Sequence, residues 1–156
     1  MAMPLMSNAG YFQSVDDTIK VAVIGCGGRG TGAAMQALST KQNVKLVAMA
    51  DAFRDRLDSA YKALTDGDEG NVKDRVAVTE ETKFVGFDAY KEVIPLADVV
   101  IIATPPGFRP IHFEEAIKQG KHVFMEKPVA TDPAGVKKVL EVAEIAKKKK
   151  LTPRGR

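Results

Sequence analysis

Short apolar blocks recur along the chain, separated by stretches in which apolar and polar positions follow helical spacing. The blocks are rich in β-branched residues and predict strands over residues 19–24, 44–50, 83–87, 97–103 and 122–125. The block at 97–103, ADVVIIA, is the most apolar of these. Such a block is typical of a central strand in a parallel sheet that is covered on both faces.

The intervening stretches predict helices over residues 31–39, 54–64, 89–96, 111–119 and 136–149. The helix at 54–64 carries its apolar residues at positions 57, 60, 61 and 64, the spacing of an amphipathic helix. Gly120 suits the end of a helix, and Asp132-Pro133 suits the cap and first position of the next. Strands and helices therefore alternate, which predicts a doubly wound α/β fold with a mostly parallel sheet and right-handed crossovers.

The length of 156 residues suits one domain, which can bury about 70% of its unfolded surface. We expect that domain over residues 19–150, preceded by a flexible arm over 1–18. Residues 66–74 predict a polar surface loop, and residues 76–78 fit either strand or loop. Residues 151–156, LTPRGR, look unlike the end of a natural domain and are interpreted as a tail or as vector-derived residues.

Composition and charge narrow the class of protein. The sequence is 45% hydrophobic and 28% charged, which is ordinary for a globular protein. The net charge is +3, and the run Lys147–Lys150 without interleaved aromatic residues indicates a solvated helix end, so we expect no nucleic-acid partner. The single cysteine, Cys26, excludes an internal disulfide and a cysteine-rich metal site, and we expect no metal. No apolar stretch is long enough to cross a membrane and residues 1–17 lack a signal-peptide pattern, so we expect a cytoplasmic protein unless an export signal has been removed.

A glycine-rich segment, Gly25–Gly30 (GCGGRG), directly follows the first predicted strand and precedes the first helix. Its first glycine allows a tight turn, its second lets the backbone approach a pyrophosphate, and its third lets the helix pack closely on the strand. The N–H groups that open the helix then point at the anion. Strand, turn and helix together predict a Rossmann-type dinucleotide site, with a mere tight turn as the alternative.

Asp51 ends the next apolar run, where an acidic side chain can take the hydroxyls of the adenosine ribose. It could also cap the helix that begins near Arg54, and both roles can hold together. Its negative charge would repel a 2′-phosphate, which favours NAD over NADP. Arg54 and Arg56 leave NADP as an alternative, because they could pair with that phosphate; a solvated helix face is the other interpretation.

Two further segments follow predicted strands, Thr104-Pro105-Pro106 and Glu126-Lys127-Pro128. Ligands of such sheets bind beyond the carboxyl ends of the strands. We therefore expect the glycine loop, Asp51 and these two segments to line one crevice.

Taken together, the motifs resemble the N-terminal domain of the glucose-fructose oxidoreductase and inositol dehydrogenase family (Gfo/Idh/MocA). The resemblance runs from about residue 19 to 149 and rests on VAVIGCGGRG, the MAD ending at Asp51, ATPP with the following His112, and GKHVFMEKPVA. The last segment is the most discriminating. The family uses NAD or NADP to oxidise or reduce sugars, inositols and related polyols, and one branch hydrolyses glycosides through a transient redox step with bound NAD.

The resemblance implies roles at the adenosine and pyrophosphate end of the cofactor. Asp51 would bond the adenosine ribose. The cofactor-binding positions of the glycine loop would be Gly25, Gly27, Gly28, Arg29 and Gly30. For Arg29 a plain surface charge is an equal alternative, and Cys26 is interpreted as a small buried filler.

At the nicotinamide end, the resemblance implies that Thr104 and Pro105 lie along the dinucleotide and that Glu126 contacts the nicotinamide ribose. Lys127 would be the catalytic residue, reaching both that ribose and the substrate hydroxyl; an ion pair with its neighbours is the alternative. The peptide bond before Pro128 would be cis, as it often is in relatives. His112 would contact the cofactor or make a structural bond at the start of its helix.

The chain departs from the family in length, since family enzymes continue for roughly 150 to 250 further residues. That part supplies the sugar pocket, a histidine and usually an aspartate that work with the lysine, and most of the oligomer interface. We therefore expect the cofactor domain of a sugar or polyol oxidoreductase, inactive alone because its substrate domain is missing. The alternatives are a non-catalytic nucleotide-binding or interaction module and the cofactor domain of an NAD-dependent glycosidase. Oligomeric state stays open.

Overall fold

The computed structural model describes residues 16–67 and 72–155. Most of the predicted arm and the middle of the predicted loop at 66–74 therefore lie outside the described residues. Within them, strands and helices alternate as expected. The strands are β1 (Ile19–Ile24), β2 (Val44–Asp51), β3 (Lys83–Val85), β4 (Val99–Ile102), β5 (His122–Met125) and β6 (Pro153–Gly155). The helices are α1 (Gly28–Leu38), α2 (Arg54–Asp66), α3 (Ala89–Val93), α4 (Arg109–Lys118) and α5 (Pro133–Lys148).

The sheet is parallel throughout, with the strand order β3-β2-β1-β4-β5-β6. This is the common order of dinucleotide-binding sheets, and it confirms the doubly wound α/β prediction. β1 and β4 lie side by side in the middle, which explains why the Val99–Ile102 sequence of β4 is apolar throughout.

Two apolar cores lie on opposite faces of the sheet. Alternate residues of β1 divide between them, with Val21 and Val23 in one core and Ala22 and Ile24 in the other. Helices α1 and α2 cover the first core with Ala34, Leu38, Leu57, Ala60 and Leu64. Helices α3, α4 and α5 cover the second with Ala89, Val93, Phe113, Ala116, Ile117, Val139, Val142 and Ala146. The chain therefore changes faces between α2 and α3.

Several helices and strands begin or end at residues other than those predicted from the sequence. Helix α1 begins at Gly28, three residues before the predicted start, because the glycine loop itself supplies the first turn. Helix α4 begins at Arg109 with a proline in its first turn, two residues before the predicted start. Val76 makes only an isolated bridge to Leu46, so residues 76–78 do not form a strand. At α5 the predicted cap is confirmed, because the Asp132 carboxylate accepts a hydrogen bond from the N–H of Gly135 at 2.8 Å.

The sequence pattern does not predict β6. Pro153–Gly155 pairs in parallel with Val123–Met125 of β5 and so extends the sheet by one strand, within the segment interpreted as a tail. Its composition, Pro-Arg-Gly, carries no strand signal of its own, so the pairing depends on the neighbouring strand.

Candidate dinucleotide-binding site

The glycine loop is shaped by contacts that exclude side chains. Gly25 has φ +92°, and a Cβ there would lie 2.7 Å from the backbone of Ala103 and Thr104. A Cβ on Gly30 would lie 1.8 Å from the Gly25 carbonyl oxygen. A Cβ on Gly27 or Gly28 would meet nothing within 4 Å, so those two residues face open space. The loop therefore packs tightly beneath and leaves bare backbone above, which fits a pyrophosphate.

The amino end of α1 adds hydrogen-bond donors to this bare backbone. Gly27 caps the helix without a side-chain bond, and the first N–H bonded within the helix is that of Thr31, which donates to the Gly27 carbonyl at 2.9 Å. Among the described residues, no acceptor is recorded for the N–H groups of Gly28, Arg29 and Gly30. These groups and the helix dipole favour an anion at this point.

Asp51 is held in place by two backbone groups. Its Oδ2 accepts a hydrogen bond from the N–H of Cys26 at 2.6 Å, and its Oδ1 accepts one from the N–H of Phe53 at 2.9 Å. Each carboxylate oxygen keeps further acceptor capacity, which ribose hydroxyls can use. The prediction that Asp51 caps α2 is wrong. The residue at the cap position is Phe53, and Asp51 accepts a hydrogen bond from the N–H of Phe53 and from none within the helix.

One cavity of about 410 Å³ collects most of the predicted site residues at the carboxyl ends of β1, β2 and β4. The predicted residues that line it are Gly25, Gly27, Asp51, Thr104, Pro105 and His112. This is the point where neighbouring strands send their helices to opposite faces, the usual ligand position in such sheets. Gly28, Arg29, Gly30, Glu126 and Lys127 are not among its lining residues.

Three aromatic side chains that the sequence motifs do not single out also line the cavity. Phe53 is 61% exposed, Phe87 is 66% exposed, and Phe108 is 41% exposed. The Phe87 and Phe108 rings stack with centroids 5.8 Å apart. Each of them follows the carboxyl end of a strand, β2, β3 or β4 respectively. Their order in the sequence could therefore have predicted a position at the crevice. Flat apolar surface of this kind can receive a purine ring.

His112 lies at the floor of the cavity and is buried. Its Nδ1 lies 3.1 Å from the hydroxyl of Thr104, and its ring lies 4.5 Å from the ring of Tyr90, centroid to centroid. Burial lowers the pKa of His112 to about 4, so the ring is neutral at physiological pH. The bond to Thr104 supports the structural interpretation of His112 and also fixes the predicted cofactor-lining hydroxyl.

Glu126 and Lys127 follow β5 and differ sharply in exposure. Glu126 is buried, whereas Lys127 is exposed. The Lys127–Pro128 peptide bond is cis, as the resemblance implies. Lys127 is therefore accessible from solvent just beyond the end of β5, whereas Glu126 exposes little surface.

Arg109, which was not predicted as a site residue, connects the segments that follow β4 and β5. Its buried guanidinium donates hydrogen bonds to the backbone carbonyls of Thr104, Glu126 and Pro128. No sequence motif marks this role, because all three acceptors are main-chain atoms.

The two arginines considered for a 2′-phosphate behave differently. Arg54 is engaged by Asp58 at 2.9 Å and by Glu80 at 2.6 Å, whereas Arg56 lines the cavity. Cys26 is buried with its Sγ 3.4 Å from the Ala50 carbonyl. Burial and the charge of Asp51 raise the pKa of this thiol to about 12, which agrees with its interpretation as a filler.

Across residues 16–67 and 72–155, no group of three or more His, Cys, Asp or Glu side chains is placed to hold a metal ion. None of the helices in these ranges combines the length and apolar character needed to cross a membrane.

Comparison with known proteins gives the same family as the sequence motifs. The model of the oxidoreductase family with an NAD-binding Rossmann fold (Gfo/Idh/MocA) matches residues 19–153. A glycosyl hydrolase family 109 protein of Streptomyces niveus is 32% identical over 130 residues, covering 81% of this chain and 24% of that protein. An inositol 2-dehydrogenase of Cereibacter sphaeroides is 25% identical over 127 residues, covering 81% of this chain and 33% of that protein.

Solved structures agree in fold. A scyllo-inositol dehydrogenase from Lactobacillus casei, crystallised with NAD(H) and scyllo-inositol, superposes with a TM-score of 0.64 at 25% identity, covering 88% of this chain and 36% of that chain. The chain thus spans about a quarter to a third of the length of the curated relatives it matches. It belongs to the Gfo/Idh/MocA oxidoreductase family and forms the NAD-binding Rossmann domain of that family.

Proposed function

We propose that this chain is the cofactor-holding part of an NAD-dependent oxidoreductase that acts on sugars, inositols or related polyols. The observation that carries the proposal is that Gly25, Gly27, Asp51, Thr104 and Pro105 all line one cavity. A pyrophosphate would lie over the bare backbone of Gly27 and Gly28 and accept hydrogen bonds from the amino end of α1. Arg29 is exposed beside this position and can add its charge.

We infer a preference for NAD over NADP. Asp51 would accept the hydroxyls of the adenosine ribose, and a 2′-phosphate in their place would meet its negative charge. Arg54 is already paired with the carboxylates of Asp58 and Glu80. Its positive charge is therefore less available to offset the repulsion between Asp51 and a 2′-phosphate. Phe53, Phe87 and Phe108 line the same cavity as Asp51, and their apolar surface would receive the adenine ring.

At the other end of the crevice, Thr104 and Pro105 would lie along the dinucleotide and Lys127 would face the substrate. When bound, the nicotinamide ring supplies two-electron redox chemistry. Lys127 would take or return the proton of the substrate hydroxyl through its Nζ, which requires an approach within about 3 Å. Glu126 is proposed to contact the nicotinamide ribose through the small part of its side chain that is exposed.

The substrate side of the crevice is proposed to lie outside this chain. The chain matches 36% of the scyllo-inositol dehydrogenase that it resembles, so most of the length of that enzyme lies outside the match. We expect the residues that choose a polyol to belong to that remaining length, so the 156-residue chain should bind cofactor without turning over substrate. Cytoplasmic location and the lack of nucleic-acid or membrane partners stay predictions of the sequence.

A second candidate function follows from the glycosyl hydrolase family 109 relative at 32% identity. On this alternative the chain would be the cofactor domain of an NAD-dependent glycosidase. Hydrolysis of nitrophenyl glycosides by the full-length protein, lost when NAD is stripped and restored when it is added back, would favour the glycosidase. Net NADH production from polyols would favour the dehydrogenase.

A non-catalytic nucleotide-binding or interaction module is the remaining alternative, and the same cavity would serve it. Calorimetric titration of the 156-residue chain with NAD and with NADP tests the proposed cofactor site. We expect heat of binding with both and a lower Kd for NAD. No binding of either at millimolar cofactor would contradict the proposal, and polyol-dependent NADH production by this chain would exclude the non-catalytic module.

A further inference from the structure

Arg109 occupies an unusual position for an arginine, at the first residue of α4 with its side chain only 6% exposed. Arginine side chains are rarely this buried unless their donors are satisfied by hydrogen bonds. Burial lowers the pKa of Arg109, while the nearby charge of Glu126 opposes that shift. The guanidinium nevertheless stays charged at physiological pH, because arginine is the strongest base among the side chains.

The bonds of Arg109 join the two segments that follow β4 and β5. Its Nε donates to the Thr104 carbonyl at 2.6 Å. Its Nη1 donates to the Glu126 carbonyl at 2.6 Å and to the Pro128 carbonyl. These charge-assisted bonds are shorter and stronger than ordinary backbone bonds.

Main-chain bonding between β4 and β5 ends at the first residue of the second segment, Glu126. Its last recorded bond runs from the N–H of Glu126 to the carbonyl of Ile102 at 3.0 Å. Within the described residues, no backbone hydrogen bond is recorded between the segment that starts at Thr104 and the segment Glu126–Pro128. Arg109 therefore continues the connection beyond the end of the sheet.

We propose that Arg109 is a positioning residue that fixes the Glu126–Lys127–Pro128 segment against Thr104 and so builds the nicotinamide end of the site. This proposal rests on the proposed function of Lys127 and Thr104. The adenosine end depends on different contacts, those of the glycine loop after β1 and of Asp51 at the end of β2. Loss of Arg109 should therefore weaken the hold on the nicotinamide half and spare the hold on ADP-ribose.

The chain offers a matched control in Arg75. Its Nη1 also donates to three backbone carbonyls, those of Leu38, Thr40 and Gln42, at 3.0, 2.7 and 2.9 Å. These acceptors lie at the end of α1 and in the loop that leads to β2, at the amino ends of the strands and away from the crevice. The Arg75→Gln variant therefore shows how the loss of a comparable set of hydrogen bonds far from the crevice affects ligand binding through the fold alone.

The experiment measures Kd for NAD and for ADP-ribose by calorimetry in the wild-type chain and in Arg109→Gln, Arg109→Lys and Arg75→Gln. We expect the wild type to bind NAD more tightly than ADP-ribose. Arg109→Gln should raise Kd for NAD about tenfold, or to the ADP-ribose value if that is reached first, with Kd for ADP-ribose within about twofold. Kd for NAD in Arg109→Lys should lie between the values of the wild type and of Arg109→Gln, because an ammonium keeps the charge but lacks the planar set of donors of a guanidinium. Arg75→Gln should leave both constants within about twofold.

Three results would overturn the positioning role: equal wild-type constants for NAD and ADP-ribose, an unchanged NAD constant in Arg109→Gln, or equal weakening of both ligands in that variant. Should Arg109→Gln fail to fold by circular dichroism, the same comparison in Arg109→Lys decides, with an unchanged NAD constant or equal weakening counting against the proposal. Failure of the wild type to bind either ligand would instead refute the proposed cofactor site, so the two failures are distinguishable.

Discussion

The Asp51 carboxylate accepts a hydrogen bond from the backbone N–H of Cys26, with 2.6 Å between Oδ2 and the nitrogen. This bond ties the end of β2 to the glycine loop that follows β1. The side chain proposed to receive the ribose therefore also holds the backbone proposed to receive the pyrophosphate. One carboxylate thereby sets the spacing between the two contacts.

Asp51→Ala should weaken NAD more than NADP. The variant removes the acceptor for the ribose hydroxyls and also the charge that opposes a 2′-phosphate, so its effects on NADP partly cancel. We expect Kd for NAD to rise about tenfold, measured by calorimetry with both nucleotides. Asp98→Ala is the control, because Asp98 also accepts a bond from the backbone of a neighbouring strand, from Lys20 at 2.9 Å. An unchanged ratio of the two constants would refute the ribose role.

Alanine should destabilise the protein at one glycine of the loop, Gly30, and have little effect on stability at another, Gly28. Gly30→Ala places a Cβ 1.8 Å from the Gly25 carbonyl oxygen, and relieving that overlap must shift the loop. We expect a loss of about 1–3 kcal/mol in the free energy of unfolding by urea denaturation, together with weaker NAD binding. Gly28→Ala meets no atom within 4 Å and lies in α1, so its stability should stay within about 1 kcal/mol of wild type. Equal stability of the two variants would contradict the tight packing of the loop.

Stability should fall with acidity through the window set by His112. Its pKa is about 4 in the folded chain and about 6.5 in the unfolded chain. Between these values the unfolded chain binds the extra proton, so the free energy of unfolding decreases as pH falls from about 6.5 to 4. The contribution of this group to the loss is about 3 kcal/mol.

His112→Gln isolates that contribution, since it keeps a polar partner for Thr104 and does not titrate. Titration of the carboxylates changes the stability of the wild type and of His112→Gln alike. The difference between their free energies of unfolding, measured at several pH values, therefore reports the titration of His112. We expect the difference to shrink as pH falls through the window. Curves that stay parallel from pH 7 to pH 4 would show that His112 titrates normally.

Arg56, and not Arg54, should support whatever binding NADP retains. Arg56 lines the cavity, while Arg54 is engaged by Asp58 and Glu80. Arg56→Gln should raise Kd for NADP about threefold, and Arg54→Gln should change it by less than twofold. Calorimetry with NAD in both variants controls for general damage to the site. The reverse order would mean that Arg54 leaves its carboxylate partners to meet the phosphate.

Much of the fold was predictable because the signals are local. The predicted bounds of β1 and β5 match the structure to the residue, since each strand is a β-branched or apolar block bounded by polar or glycine residues. The strand-turn-helix arrangement around Gly25–Gly30 and the acidic residue at the end of β2 also follow from sequence order alone. These elements place the glycine loop and Asp51 at one edge of the sheet without further information.

Features that depend on contacts distant in sequence were not predictable. Strand β6 has no strand propensity of its own and forms by pairing with β5. Arg109 looks like an ordinary charged residue at a helix start, because its acceptors are carbonyls of Thr104, Glu126 and Pro128. Glu126 and Lys127 are adjacent in sequence, yet only the folded chain shows that one is buried and the other exposed.

Amide chemical shifts of the isotopically labelled chain, titrated with NAD, test whether the crevice holds the dinucleotide. We predict that the largest changes fall on the N–H groups of Gly27, Gly28, Arg29 and Gly30, which lack recorded partners among the described residues, and on Phe53 beside Asp51. ADP-ribose should reproduce these changes but not those near Lys127. If NAD binds while the amides from Gly27 to Gly30 stay unshifted, the site proposed here is contradicted.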